Sequence, residues 1–228
     1  MKITRYLLIL FILSGIFCNP VFCQTNKIAL PVAVFSGSDT AKPVLFYITG
    51  DGGWNKFSNG FVQQLNSKGY EVVGLNAREY FWHKKTAQQT ANAMSLIISG
   101  HMKDRKSKSF ALIGYSFGAD VMPFVVTHSR DDIMANLRYI VLMSPAAKTD
   151  FEVHLTELIG IGSSSGESVP AEVNKISQPV LFVFGDKEND FPLNDIRIKN
   201  YKTEKLPGGH HYDGDPSAVC NIILPYLK

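Results

Sequence analysis

The chain has 228 residues, 45% of them apolar and 19% charged, a globular composition with room for one full hydrophobic core and without repeats or low-complexity tracts. Twenty-three basic residues against 20 acidic ones give a net charge of +3, and no basic patch argues for nucleic acid as a partner. Three cysteines are too few for a disulfide framework.

Residues 1–23 read as a cleavable secretory signal. Lys2 and Arg5 precede an uncharged apolar run from Tyr6 to Phe17, and Asn19-Pro20 breaks it. That run is shorter than the roughly 18–20 residues that span a bilayer. Cleavage is expected after Cys23, with Val21 and Cys23 at the −3 and −1 positions. A lipoprotein signal is the weaker reading, because Phe17 and Phe22 precede Cys18 and Cys23 where a small residue is wanted. A soluble periplasmic or secreted protein is therefore expected, with residues 24–228 as a single domain. Removing the leader takes Lys2 and Arg5, which leaves 21 basic residues against 20 acidic. Cys220 alone remains, in the apolar helical pattern AVCNIILPYL, and reads as a buried small hydrophobe.

Along the mature chain, short apolar runs alternate with helical patterns. IALPVAVF (28–35) reads as an antiparallel leading edge. VLFYIT (44–49), EVVGL (71–75), FALIG (110–114), YIVLM (139–143) and VLFVF (180–184) lack polar/apolar alternation, so a parallel sheet covered on both faces is expected. YKTEKL (201–206) is more polar and reads as a last edge strand. Helical periodicity covers 57–68, 86–99, 117–129 and 217–227. The result is an α/β fold of three layers, helix–sheet–helix. The turn-rich segment 160–170, within 148–173, is a candidate lid or a plain surface loop.

FALIGYSFGAD (110–120) carries G-x-S-x-G between a strand and a helix, the context of a nucleophile elbow. Glycines permit the tight turn that lifts Ser116 into the open, and the helix start offers free N–H groups. Such a serine needs a base and an acid to orient it, in the chain order Ser, acid, His. GDKENDFP (185–192) ends a strand with three acids. Glu188 is the first candidate and Asp190 the second. LPGGHHYDGD (206–215) then supplies His210 and His211, with His210 preferred by a small margin. A metal reading of this stretch is disfavoured, because adjacent histidines rarely reach one ion together. No metal or cofactor is expected. The oxyanion donors expected are the Phe117 N–H and one from TGDGGW (49–54), at Asp51 or Gly52.

Taken together, GDGGW (50–54), YFW (80–82), GYSFGADVMP (114–123), FEVHL (151–155), the acids of 185–190 and LPGGHHYDGD resemble the VirJ/AcvB family of exported bacterial virulence-associated proteins. The resemblance implies an α/β-hydrolase-like fold, a periplasmic location and hydrolysis of aminoacyl-phosphatidylglycerol, the lysyl lipid in particular. It also implies an association with DNA-transfer secretion machinery. It carries the nucleophile to Ser116, the base to His210 or His211 and the acid to Glu188 or Asp190. This chain is the short, single-domain form and lacks the cysteines that tend to flank the acid turn in relatives. Under this reading Asp120, with Asp51, Asp213 and Asp215, forms an acidic rim for an ammonium group. Trp54, Tyr80, Phe81 and Trp82 form an apolar wall for a lipid. The expected partner is a small-molecule or lipid ester at the membrane surface, with an envelope secretion-system protein as a further one, and the protein is expected to be a monomer. A generic carboxylesterase or thioesterase, or a non-catalytic docking protein, are the alternatives.

Overall fold

The computed structural model describes residues 29–103, 105, 107–154 and 166–227. The expected signal segment and most of the candidate lid lie outside the described residues. Seven strands form one sheet: β1 (Val32–Phe35), β2 (Val44–Ile48), β3 (Val72–Leu75), β4 (Phe110–Tyr115), β5 (Leu137–Met143), β8 (Val180–Gly185) and β9 (Tyr201–Leu206). Their order is β1-β3-β2-β4-β5-β8-β9. Only β1 runs antiparallel, against β3, and every other pair is parallel.

The apolar runs are continuous because both faces of the sheet are covered, while side chains still alternate between them. In β2, Val44, Phe46 and Ile48 enter one core, and Leu45 and Tyr47 the other. In β8 the same split separates Val180, Phe182 and Phe184 from Leu181 and Val183. The first core is roofed by α3 (Ala87–Met102), α4 (Phe117–His128) and α6 (Val169–Val173). The second lies under α1 (Lys56–Ser67) and α7 (Pro216–Ile223), which pack on each other. Cys220 sits in that second core, 1% exposed, and burial pushes its thiol up to about 11.

Side-chain caps set several helix starts. Asn55 accepts from the Ser58 N–H at α1, Thr86 and Gln89 form a capping box at α3, and Asp215 accepts from the Ser217 and Ala218 N–H groups at α7. Asp215 is thereby occupied as a helix cap.

Three short helices escape sequence periodicity: α2 (Ala77–Tyr80), α5 (Asp131–Met134) and α6, each too brief to show a repeat. The reading of 148–173 as irregular is also corrected at its described ends. There β6 (Lys148–Thr149) pairs with β7 (Glu167–Ser168), and Ser168 caps α6.

All these connections bring functional loops to the carboxyl edge of the parallel strands. The closest approach is at Gly118, where an added Cβ would lie 2.2 Å from the Ile48 carbonyl oxygen and 2.6 Å from that of Thr49. Both are backbone atoms and cannot yield. Gly118→Ala is expected to lower stability by about 3 kcal/mol through overpacking, read as a lower urea midpoint at unchanged m.

Candidate active site

Ser116 stands at the turn between β4 and α4 with φ 52° and ψ −123°, a conformation costly for a residue with a Cβ. The turn is held by the Ser116 N–H donating to Met143 O at 2.8 Å, and by the Ala119 and Asp120 N–H groups donating to Ser116 O. Gly114 allows this, since a Cβ there would lie 2.4 Å from Gly118 O. The Ser116 side chain makes no cap hydrogen bond to the helix it begins.

That hydroxyl meets His210. Ser116 Oγ lies 2.7 Å from His210 Nε2, and His210 Nδ1 lies 2.9 Å from Glu188 Oε1. The carboxylate can only accept, so Nδ1 carries the ring proton and Nε2 accepts from Ser116. Glu188 Oε2 accepts the Gly185 N–H at 2.6 Å and the Ser144 hydroxyl at 2.7 Å. Burial pushes the Glu188 carboxyl up, yet the bonds from His210, Ser144 and Gly185 together outweigh it and hold it below its ordinary value.

Ser144 and Tyr212 were not legible as part of this arrangement. Ser144 is 1% exposed and adopts φ 49°, directly after β5. Its Oγ lies 2.6 Å from Tyr212 OH, which is also 3.0 Å from Val183 O. Ser144 has one hydroxyl proton to share between the Glu188 carboxylate and the Tyr212 oxygen, while Tyr212 donates its own to Val183 O. Burial raises the Tyr212 phenol well above its ordinary value and so keeps it a donor. The one available signal was a short polar residue ending an apolar strand.

The three acids separate by role. Asp186 Oδ1 accepts from the Gly208 N–H at 3.0 Å and ties the acid turn to the histidine loop. Asp190 is exposed and makes no hydrogen bond to either histidine. Glu188 alone reaches His210. The two loops sit tightly together because Gly185 carries no side chain: a Cβ would lie 2.3 Å from Gly209 O.

The histidines also separate. His211 turns its Nδ1 to the Tyr115 hydroxyl at 2.7 Å, and the same hydroxyl reaches His210 O at 3.3 Å. Burial, then the neighbouring His210, lowers the His211 pKa and favours its neutral ring. Tyr212 and Asp213 both have φ 51°, so the chain doubles back sharply after the histidines. Asp213 itself is exposed, with its carboxylate folded over Gly208.

The glycine loop after β2 lies beside the serine, where a Cβ on Gly50 would sit 3.3 Å from Ser116 Cβ. Thr49 Oγ1 accepts from the Ala77 N–H at 2.9 Å and pins the loop to α2. The Gly52 N–H donates to Asp51 Oδ1 at 2.8 Å, which engages it and leaves Asp51 N–H as the candidate donor of the pair. Phe117 begins α4 with its N–H among the unbonded first-turn donors, while its ring packs on Phe81.

The expected rim and wall are redistributed. Asp120 is 7% exposed and accepts from the Ala146 N–H at 2.6 Å, so it staples α4 to the β5 loop rather than facing substrate. Tyr80 packs edge-on against Phe81 and donates to Gln89 O, clamping α3. Trp54 covers Gly74 of β3 and contacts Phe35 and Tyr47, yet it also borders a surface groove with Trp82.

Comparison with solved structures places this architecture among α/β hydrolases. MenH from S. aureus superposes with TM-score 0.66 at 13% identity, over 86% of this chain and 97% of that one. Est1E from Butyrivibrio proteoclasticus, with ferulic acid bound, gives 0.60 at 16% identity over 87% and 95%. A putative dienelactone hydrolase from Klebsiella pneumoniae gives 0.60 at 11% identity over 87% and 98%. At such identities the likeness is one of fold. No curated protein sequence matches the chain. Residues 42–228, which hold the strained serine, its histidine and its carboxylate, match the model of the bacterial virulence protein VirJ, and the chain belongs to that family.

Proposed function

We propose that this protein is a serine hydrolase of the cell envelope that cleaves esters. Its substrate in this reading is the aminoacyl ester of an aminoacylated phospholipid such as lysyl-phosphatidylglycerol. The observation that carries the reading is the unbroken line from Ser116 Oγ through His210 to Glu188. As Ser116 attacks the ester carbonyl, its proton passes to His210 Nε2. Glu188 accepts from Nδ1–H and stabilises the imidazolium. The carbonyl oxygen, now anionic, receives the Phe117 and Asp51 N–H groups. Collapse returns the carbonyl and expels the alcohol, which takes the proton from Nε2. Water repeats the cycle in reverse on the acyl-serine, releasing the acid and restoring the hydroxyl.

The lipid and the location are supported by the family and by the apolar N-terminal run with its two leading cations. Export to the periplasm or beyond, action as a monomer at a membrane surface, and contact with an envelope secretion system belong to the same reading. A broader carboxylesterase or thioesterase would use the same groups.

A fluorophosphonate probe tests the mechanism. The unmutated protein should be labelled and Ser116→Ala should not. Incubation with lysyl-phosphatidylglycerol vesicles should release free lysine with the first protein alone. An unlabelled wild-type protein would overturn the hydrolase reading. Labelling without lysine release would leave the hydrolase and remove the aminoacyl lipid.

A further inference from the structure

Glu188 must present one oxygen to His210 in a fixed plane, and its side chain does not fix that plane by itself. The last torsion of a glutamate is broad, so the carboxylate turns unless other groups hold it. Oε1 meets His210 Nδ1 at 2.9 Å, while Oε2 accepts from Ser144 Oγ at 2.7 Å and from the Gly185 N–H at 2.6 Å. Gly185 belongs to the acid's own turn. Of the two donors on Oε2, only Ser144 comes from elsewhere, at the end of β5.

The place of Ser144 gives that contact its weight. In the sheet, β5 lies between β4, which carries the elbow, and β8, which carries the acid. Met143 O accepts the Ser116 N–H at 2.8 Å, and the next residue, Ser144, donates its own N–H to Val183 O at 2.8 Å. Two consecutive residues thus tie the nucleophile turn and the acid strand to one stretch of backbone. Ser144 is 1% exposed, so bulk water does not compete for its hydroxyl, and Tyr212 OH confines it from the other side at 2.6 Å. Its φ of 49° is a conformation that glycine adopts at less cost. A serine there carries strain that only its side chain can offset, and that side chain bonds Glu188 and Tyr212.

We propose that Ser144 is the positioning residue of the triad carboxylate, holding Oε2 of Glu188 so that Oε1 stays in line with His210. It acts through Glu188 and does not touch substrate. The proposal rests on the ester-hydrolase reading for its link to catalysis, though not for the hold on Glu188 itself. Burial pushes the Glu188 carboxyl up, and the bonds from His210, Ser144 and Gly185 bring it below its ordinary value. Loss of the Ser144 hydroxyl therefore moves it back up. The titratable neighbours of that carboxylate, His210, His211, Tyr115 and Tyr212, are left in place by the substitution.

Ser144→Ala should lower kcat on p-nitrophenyl acetate by about tenfold with KM within about twofold, because the carboxylate loses its hold while the binding surface stays. Its urea midpoints should fall less steeply than those of the unmutated protein between about pH 5 and about pH 3. With Glu188→Gln already present, adding Ser144→Ala should leave that slope unchanged. Ser144→Gly, which takes φ 49° without strain, should show the same loss of kcat and the same slope as Ser144→Ala. Recovery of kcat in the glycine variant would assign the role to the backbone turn and overturn the proposal. So would a kcat for Ser144→Ala within about twofold of the unmutated enzyme, or an unchanged pH slope. If the unmutated protein cleaves no ester, a slope that Ser144→Ala flattens only in the presence of Glu188 would keep the hold on the carboxylate and reject the hydrolase.

Discussion

His210→Ala is expected to lower kcat on any ester by about 10⁴-fold, while His211→Ala costs less than about tenfold. The two rings are neighbours in sequence but differ in what their nitrogens meet. His210 bridges Ser116 at 2.7 Å and Glu188 at 2.9 Å, so its loss removes the acceptor for the serine proton. His211 bonds Tyr115, and its ring is biased to the neutral form by burial and by the charge that His210 acquires. Its removal loosens the loop without emptying the proton path. Steady-state kcat on a soluble ester, measured for both variants, decides the matter. The reverse order of losses would give the base to His211.

Glu188→Gln should be nearly as damaging, with a loss on the order of 10³- to 10⁴-fold in kcat, whereas Asp190→Asn should leave kcat within about twofold. The amide fills the same space but cannot supply the same acceptors. Either its oxygen faces His210 and its NH2 opposes the Gly185 N–H, or its NH2 faces Nδ1 and forces the proton onto Nε2. In that tautomer Nε2 cannot take the proton of Ser116. The same carboxylate also shapes the acid limb of stability. Its folded pKa lies below the ordinary 4.5, so between the two values the unfolded chain binds more protons than the folded one. Its contribution is therefore present above about pH 4.5 and is lost as pH falls through the lower, folded pKa. Glu188→Gln should remove that component, and urea midpoints between pH 5 and about 3 should fall less steeply than in the unmutated protein. An equal slope in both would mean that the network around Glu188 does not favour its ionised form.

Several features of the site were readable in one dimension because they depend on local rules. An elbow requires small residues around a serine between strand and helix, and 114–118 meets that requirement within one turn. Strands buried on both faces must be apolar at successive positions, which made β2, β4, β5 and β8 visible. The histidine loop was visible by its place after the last strand. Choices between neighbours could only be ranked, Glu188 ahead of Asp190 and His210 ahead of His211 by a small margin. Asp186, Glu188 and Asp190 share one turn, and their directions depend on how that turn meets Gly208 and Ser144. His210 and His211 share one loop, and Tyr115 on another strand draws the second ring away.

Long-range partners were beyond the same reading. Tyr212 and Ser144 are 68 positions apart, and only the packing of the β5 and β9 loops brings them to Glu188. Asp120 fitted a substrate rim as long as its neighbours were unknown, but the Ala146 N–H closes that role.

By itself the sequence determined the layered α/β architecture, the serine and the loops that face it, since hydrophobic period and turn chemistry act over a few residues. Only the tertiary structure brings His210 and Glu188 into line with Ser116 and turns His211 to Tyr115. Hydrogen-bond geometry is set to tenths of an ångström by segments that meet only when the sheet assembles.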